Sequence, residues 1–255
     1  MSILPCLVVA HRGASAYAPE NTLAAFDLAA RMGVTHIELD VRETRDGQVV
    51  VLHDATLERT TNGRGPVADR TLAEVQRLDA GAWFGPAFAG ERIPTLDTVL
   101  ARYRGRLHVQ VEIKGRSDTL PRAVVETIRR HGMSASVTVI SFDAAQLEKV
   151  RALAPELVTG WLLGDVSANT MVRARELGVS LVSLQASTVT ADLVRRLHAG
   201  GFTVLAWGVE TEETMRDVVR AGADGIVIDF PDKLLAFLET RVDDQAESGS
   251  ASRPS

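Results

Sequence analysis

Eight short runs rich in β-branched residues recur along the chain: 7–10, 36–41, 108–113, 136–141, 157–163, 181–185, 203–207 and 225–229. Between most of them lie amphipathic stretches of helical period, such as TLAAFDLAARMG, LPRAVVETIRRHG and TEETMRDVVRAG. Several begin with Thr, Asp or Ser and end with Gly, the chemistry of helix caps. Consecutive parallel strands need such crossovers, so the alternation points to an α/β fold with a parallel sheet. A spacing of roughly 25–30 residues also suits a doubly wound sheet. The count of eight strand–helix units predicts the closed form, a TIM (β/α)8 barrel.

One interval breaks the rhythm. After HIELDV the chain runs through RDGQVVVLHD and a long irregular stretch before the next helix, TLDTVLARYRG. Asp46-Gly47 between two β-rich runs signals a hairpin. Residues 46–95 are therefore expected to form a small insertion after strand 2, on the face where barrels carry their sites. The expected organisation is one barrel over 1–240, followed by a disordered polar tail over 241–255.

The net charge of −5 excludes a general affinity for nucleic acid or anionic membranes. Any handling of anions falls to local groups. No run reaches the ~18–20 apolar residues of a spanning helix, so stable membrane insertion is not expected. The N-terminal apolar run lacks the preceding Lys or Arg of a signal peptide. With Cys6 as the single cysteine, these features suggest a cytoplasmic protein. Nothing in the sequence sets an oligomeric state.

Glu38 and Asp40 stand two apart in an apolar strand and so share a face. Two such carboxylates repel and lose solvation unless a cation lies between them. Glu112 and Lys114 repeat the spacing on the next barrel strand. Taken singly, the first pair could be a solvated edge and the second an ion pair lining the barrel. Their shared place at the C-terminal rim, with His11-Arg12 and His53, favours a site. An all-oxygen ligand set of Glu38, Asp40 and Glu112 suits Mg²⁺ or Ca²⁺, with Mn²⁺ also possible. Arg12 and Lys114 would hold phosphoryl oxygens, and His11 and His53 would serve as general base and acid. His36 and His108 open strands at the opposite end and read as structural, as do His131 and His198 beside helix-ending glycines.

HRGASAYAPENTLAAF, HIELDVRETRDGQVVVLHD, LERTTNGRG, IPTLDTVL, VEIK and GADGIVIDFPD together resemble, in order, the motifs of the glycerophosphodiester phosphodiesterases. The resemblance runs from about residue 8 to 240. It implies a TIM barrel with a small inserted subdomain. It also implies metal-dependent hydrolysis of glycerophosphodiesters, such as glycerophosphocholine or glycerophosphoethanolamine, to glycerol 3-phosphate and an alcohol. By position, Glu38, Asp40 and Glu112 would be metal ligands, His11 and His53 the acid/base pair, and Arg12 and Lys114 phosphate ligands. Glu20 and Asn21 would support the site, and Phe142 and Trp207 would wall the substrate pocket. Two departures bear on the alcohol: Gly208-Val209-Glu210 where the family commonly has Thr-Val-Asn, and Ile228 where it often has Thr. A lysophospholipase D, with Trp83, Phe84 and Phe88 lining an acyl groove, is the alternative within the same chemistry. A silent binder of phosphorylated metabolites is the alternative outside it.

Overall fold

The computed structural model describes residues 6–250. Eight parallel strands close into a barrel: β1 (Leu7–His11), β2 (His36–Glu43), β4 (His108–Ile113), β5 (Val137–Ser141), β6 (Val158–Leu163), β7 (Leu181–Gln185), β8 (Thr203–Trp207) and β9 (Gly225–Ile228). Pairing of β1 with both β2 and β9 completes the ring. The remaining strand, β3 (Val49–Val51), pairs antiparallel with the end of β2. This is the hairpin expected at Asp46-Gly47, and Gly47 adopts φ 75° in its turn.

Helices α1 (Leu23–Arg31), α3 (Leu96–Tyr103), α4 (Leu120–Arg130), α5 (Ala144–Leu153), α6 (Ala168–Leu177), α7 (Ala191–Ala199) and α8 (Glu212–Ala221) alternate with the barrel strands. Side chains of Thr22, Thr95, Asp143, Ser167, Thr190 and Thr211 cap helix N-termini. Gly178 and Gly222 end α6 and α8 in the left-handed conformation.

The period of two along each strand divides the side chains. Outward residues such as Ile37, Leu39, Val109 and Val111 join the helices in the main core. Inward residues Val9, Leu181, Leu205 and Val227 fill the barrel itself. Glu38, Asp40, Glu112, His11 and Trp207 share that inward parity, which is why they meet at one mouth.

Beyond β3 the insertion holds little regular structure: two 3₁₀ turns (Val67–Asp69 and Pro86–Phe88) and the short helix α2 (Leu72–Val75). It has a small core of its own around Val50, Leu57, Val67, Val75 and Ile93. The final helix, α9 (Pro231–Ser250), runs past residue 240 into the segment expected to be disordered. The rest of the expected tail, 251–255, and the first five residues lie outside the described residues.

Candidate active site

Barrel register sets the levels of the site. His11 pairs in register with Glu38, and Asp40 with Glu112. Glu38, Asp40 and Glu112 are 2%, 0% and 6% exposed. Each offers an oxygen, and these oxygens lie within 4.8 Å of one another.

Two cations partly balance the three carboxylates. Lys114 Nζ lies 2.7 Å from Glu112 Oε1 and 3.2 Å from Asp40 Oδ1. Arg12 Nε lies 3.1 Å from Asp40 Oδ2, and Nη1 donates to Glu20 Oε1 at 2.9 Å. Burial and the charges of Asp40 and Glu112 raise the Glu38 carboxyl well above its ordinary value. Burial and then Asp40 push Glu112 up to about 7. Burial opposes ionisation of Asp40 too, but Arg12 and Lys114 outweigh it and hold that carboxyl low.

The set is one positive charge short, and one oxygen shows it directly. Glu38 Oε1 is buried without a hydrogen-bond partner, and Asp40 Oδ1 has only the Lys114 ammonium, off the hydrogen-bond direction. Three buried carboxylates, two of them with an oxygen lacking a hydrogen bond, and no sulfur ligand fit a hard divalent cation. Glu38, Asp40 and Glu112 could hold one.

The backbone is bent to serve these carboxylates. Arg12 (φ 56°) and Asn21 (φ 59°) both adopt left-handed conformations uncommon for side-chain-bearing residues. The turn at Arg12 aims its N–H at Glu38 Oε2, 3.1 Å away. Asn21 donates its amide to Asp40 Oδ2 at 2.8 Å and accepts from the Asp40 N–H at 3.3 Å. Gly13 follows because any Cβ there would sit 2.6 Å from the Ala25 backbone.

Each histidine is held by its own carboxylate. His11 Nδ1 lies 2.6 Å from Asp229 Oδ1, which the Ser15 hydroxyl also approaches at 2.9 Å. His53 Nδ1 lies 2.6 Å from Asp54 Oδ1. Asp229 stays ionised: burial opposes this, but the His11 hydrogen bond and charge outweigh it. Asp54 stays ionised chiefly through hydrogen bonds from Arg59. An ionised carboxylate accepts, so Nδ1 of each ring is the donor and Nε2 is left for proton transfer. His11 Nε2 stands 4.0 Å from Glu38 Oε2. Burial lowers the His53 pKa, so the neutral ring is favoured.

Both histidines line a cavity of ≈ 400 Å³ with Arg12, Glu38, Glu112 and Lys114. Its other wall is aromatic: the Phe142 and Trp207 rings meet edge to face with centroids 5.3 Å apart. Lys114 Nζ sits 5.6 Å from the Phe142 centroid. The expected site residues thus gather around this cavity: Asp40 is buried behind its lining, and Glu20 and Asn21 stand against Arg12 and Asp40.

Sequence reasoning missed four residues. Asp54 directly follows His53, and Asp229 extends the inward parity of Val227, so both leave a signal. Glu210 lines the cavity mouth within a segment noted only as a departure. Arg59 lies in irregular chain where no spacing marks it. The other departure proves remote, since Ile228 faces outward into the main core. Trp83, Phe84 and Phe88 pack against one another edge to face and do not line the cavity, which leaves an acyl groove without support. His36 and His108 stack at the far end of the barrel, 4.8 Å apart, as structural residues should.

Residues 11–233 match the model of the glycerophosphoryl diester phosphodiesterase family. YhdW of Bacillus subtilis is 40% identical over 234 residues, covering 89% of this chain and 96% of its own. A glycerophosphodiester phosphodiesterase of Caldanaerobacter subterraneus is 38% identical over 233 residues, covering 90% and 96%. A phosphodiesterase of Oleispira antarctica, solved in complex with the product sn-glycerol-3-phosphate, superposes with a TM-score of 0.88 at 31% identity over 91% of this chain and 96% of that one.

Proposed function

The chain belongs to the glycerophosphoryl diester phosphodiesterase family and is a phosphoric diester hydrolase, and we propose that it cleaves glycerophosphodiesters of cationic alcohols by histidine acid–base catalysis beside a divalent cation. The observation that carries this reading is the pair of imidazoles, each with Nδ1 held at 2.6 Å by a carboxylate, lining one cavity with three buried carboxylates. A cation held by Glu38, Asp40 and Glu112, whether Mg²⁺, Ca²⁺ or Mn²⁺, would act as a Lewis acid towards a phosphoryl oxygen.

The chain's own groups do the rest. Arg12 and Lys114 hold phosphoryl oxygens with their charge. His11 Nε2 takes the proton of the glycerol 2-hydroxyl, whose oxygen attacks phosphorus. His53, entering this step as the imidazolium with Asp54 on its Nδ1–H, gives its Nε2 proton to the departing alcohol oxygen, and a cyclic phosphodiester remains. Water then opens the ring with the proton transfers reversed, releasing glycerol 3-phosphate.

The cavity mouth supports choline or ethanolamine as the alcohol. Glu210 is exposed there and has no ion-pair or hydrogen-bond partner among the described residues. A carboxylate beside the Phe142 and Trp207 rings is the pairing that attracts an ammonium group. Among the described residues no helix is long and apolar enough to cross a membrane. A cytoplasmic setting completes the proposal, consistent with a single, buried cysteine.

The test is a coupled glycerol 3-phosphate assay on glycerophosphocholine with each cation and with EDTA. His53→Ala should lower kcat by ~10²–10⁴-fold while the fold survives. A near-normal rate would remove His53 from the mechanism. Undiminished turnover of a substrate lacking the 2-hydroxyl would replace the cyclic route with direct attack by water.

A further inference from the structure

The LERTTNGRG segment of the insertion contributes no group to the cavity, yet its turn is firmly anchored. Leu57, Thr60 and Thr61 are 1%, 4% and 8% exposed. Thr61 Oγ1 donates to Leu57 O and accepts from the Gly63 N–H. A Cβ at Gly63 would come within 2.6 Å of Leu78 Cδ1. Between these anchors Arg59 extends toward the barrel and uses both edges of its guanidinium. Nε and Nη2 donate to Asp54 at 2.7 and 2.9 Å. Nη1 and Nη2 donate to Glu20 at 2.6 and 2.9 Å.

Those two carboxylates lead to different halves of the site. Asp54 holds His53 Nδ1, and Glu20 Oε1 also accepts from Arg12 Nη1 at 2.9 Å. We infer that Arg59 is a positioning residue for the diesterase reaction: one planar guanidinium from the insertion sets the His53 ring through Asp54 and the Arg12 guanidinium through Glu20. The inference rests on the acid–base role of His53 and the phosphate-binding role of Arg12 proposed above.

The geometry explains why arginine is needed. Two carboxylates on adjacent edges that share Nη2 are spanned by a rigid fork with five N–H donors, whereas an ammonium is a point charge on a flexible stem. The chain runs from His53 through Asp54, Arg59 and Glu20 to Arg12, so Asp54 is shared between Arg59 and the His53 N–H, and Glu20 between Arg59 and Arg12. Hydrogen bonds from Arg59 are the main reason Asp54 stays strongly ionised. Without Arg59, Asp54 has only the imidazole to satisfy it, and Glu20 is free to swing Arg12 away from the phosphoryl position.

The test compares Arg59→Gln and Arg59→Lys with Arg102→Gln. Arg102 makes a fork of similar geometry to Asp27, with bonds of 2.9 and 2.6 Å, between α3 and α1. Steady-state kinetics on glycerophosphocholine and long-range ¹H–¹⁵N imidazole spectra are recorded for each. Both Arg59 variants should lower kcat by about 10²-fold, the usual effect of a misplaced catalytic group. The His53 resonances should shift, and the pH limb of kcat/KM assigned to His53 should move upward as Asp54 pulls harder on the ring. Arg102→Gln should change neither, whatever it does to the melting temperature. Wild-type kcat and His53 spectrum in Arg59→Gln would overturn the inference, and so would full activity in Arg59→Lys. If Arg59→Gln does not fold, Arg59→Lys decides by the same readouts. If the wild type releases no glycerol 3-phosphate, the proposed reaction fails, while the His53 spectra still decide the clamp.

Discussion

Replacing Glu112 with glutamine measures how far the carboxylate cluster destabilises the fold when no cation is bound. Glu112 is nearly buried, and its carboxyl titrates from the ordinary 4.5 up to about 7, through burial first and Asp40 second, against the pull of Lys114. A carboxyl whose pKa is higher folded than unfolded binds more protons in the folded state. Its contribution is therefore fully present below 4.5 and lost as pH rises through about 7. A shift of that size is worth roughly 3 kcal/mol above the upper value. The glutamine of Glu112→Gln cannot ionise, and its amide oxygen can still accept from Lys114 Nζ, which lies 2.7 Å from Glu112 Oε1 in the native chain. In EDTA at pH 8 the variant should be more stable than wild type by about 2–3 kcal/mol, or roughly 4–12 °C in Tm for a chain of this size. At pH 5 the difference should shrink towards zero. Calorimetry at both pH values, repeated with Mg²⁺ or Ca²⁺, reads all of this. The cation should raise the wild-type Tm strongly and the variant's weakly, and the variant should be inactive. A variant that melts below wild type at pH 8 in EDTA, or gains equally from the cation, would refute the reasoning.

Asp229→Asn should leave the barrel folded but lower kcat by at least about 10²-fold with little change in KM, since the neutral amide no longer stabilises an imidazolium and can turn its NH2 to Nδ1, reversing the His11 tautomer; a rate within a fewfold of wild type would free His11 from that partner. Glu210→Gln should lower kcat/KM for glycerophosphocholine by roughly twofold to fivefold relative to a neutral-headgroup substrate, the scale of one exposed cation contact. An unchanged ratio would mean the alcohol does not touch Glu210. At the other end of the barrel, burial and then the neighbouring His108 lower His36 from 6.5 to about 4. The unfolded chain binds the extra proton across that window, so stability should fall as pH falls through it. His36→Gln should flatten the dependence of Tm on pH between those values, and a parallel curve would show that the ring ionises without penalty.

Much of this fold is legible because barrel strands are buried on both faces and read as continuous β-branched runs. Val137–Ser141 and Leu181–Gln185 stand out in that way, and Asp143, Ser167 and Gly178 mark the helix ends around them. The insertion is another matter. Leu57, Val67, Val75 and Ile93 form its core from irregular chain, where the spacing of apolar residues follows no period. The carboxylates are legible because acidic groups on the inner parity of an apolar strand have no ordinary explanation. Asp54 and Asp229 need the second nitrogen of each histidine to be placed before their purpose can be seen. Arg59 reaches across 39 positions to Glu20, a contact that no local pattern encodes.

The residues that violate local preference fall where the buried charge is. Non-glycine residues in the left-handed region cost on the order of 1 kcal/mol each, and Arg12 and Asn21 both adopt it. In each case the strained turn places a donor against a buried carboxylate: the Arg12 N–H for Glu38, the Asn21 amide for Asp40. A charge-assisted bond to a buried carboxylate is worth ~1.5–3 kcal/mol, more than the strain, so the distorted turns persist. Two oxygens, Glu38 Oε1 and Asp40 Oδ1, still lack a hydrogen bond. The same arrangement that satisfies part of the cluster therefore leaves it short of positive charge, and a carboxylate cluster short of positive charge beside Arg12 and Lys114 is suited to take a cation and a phosphodiester together.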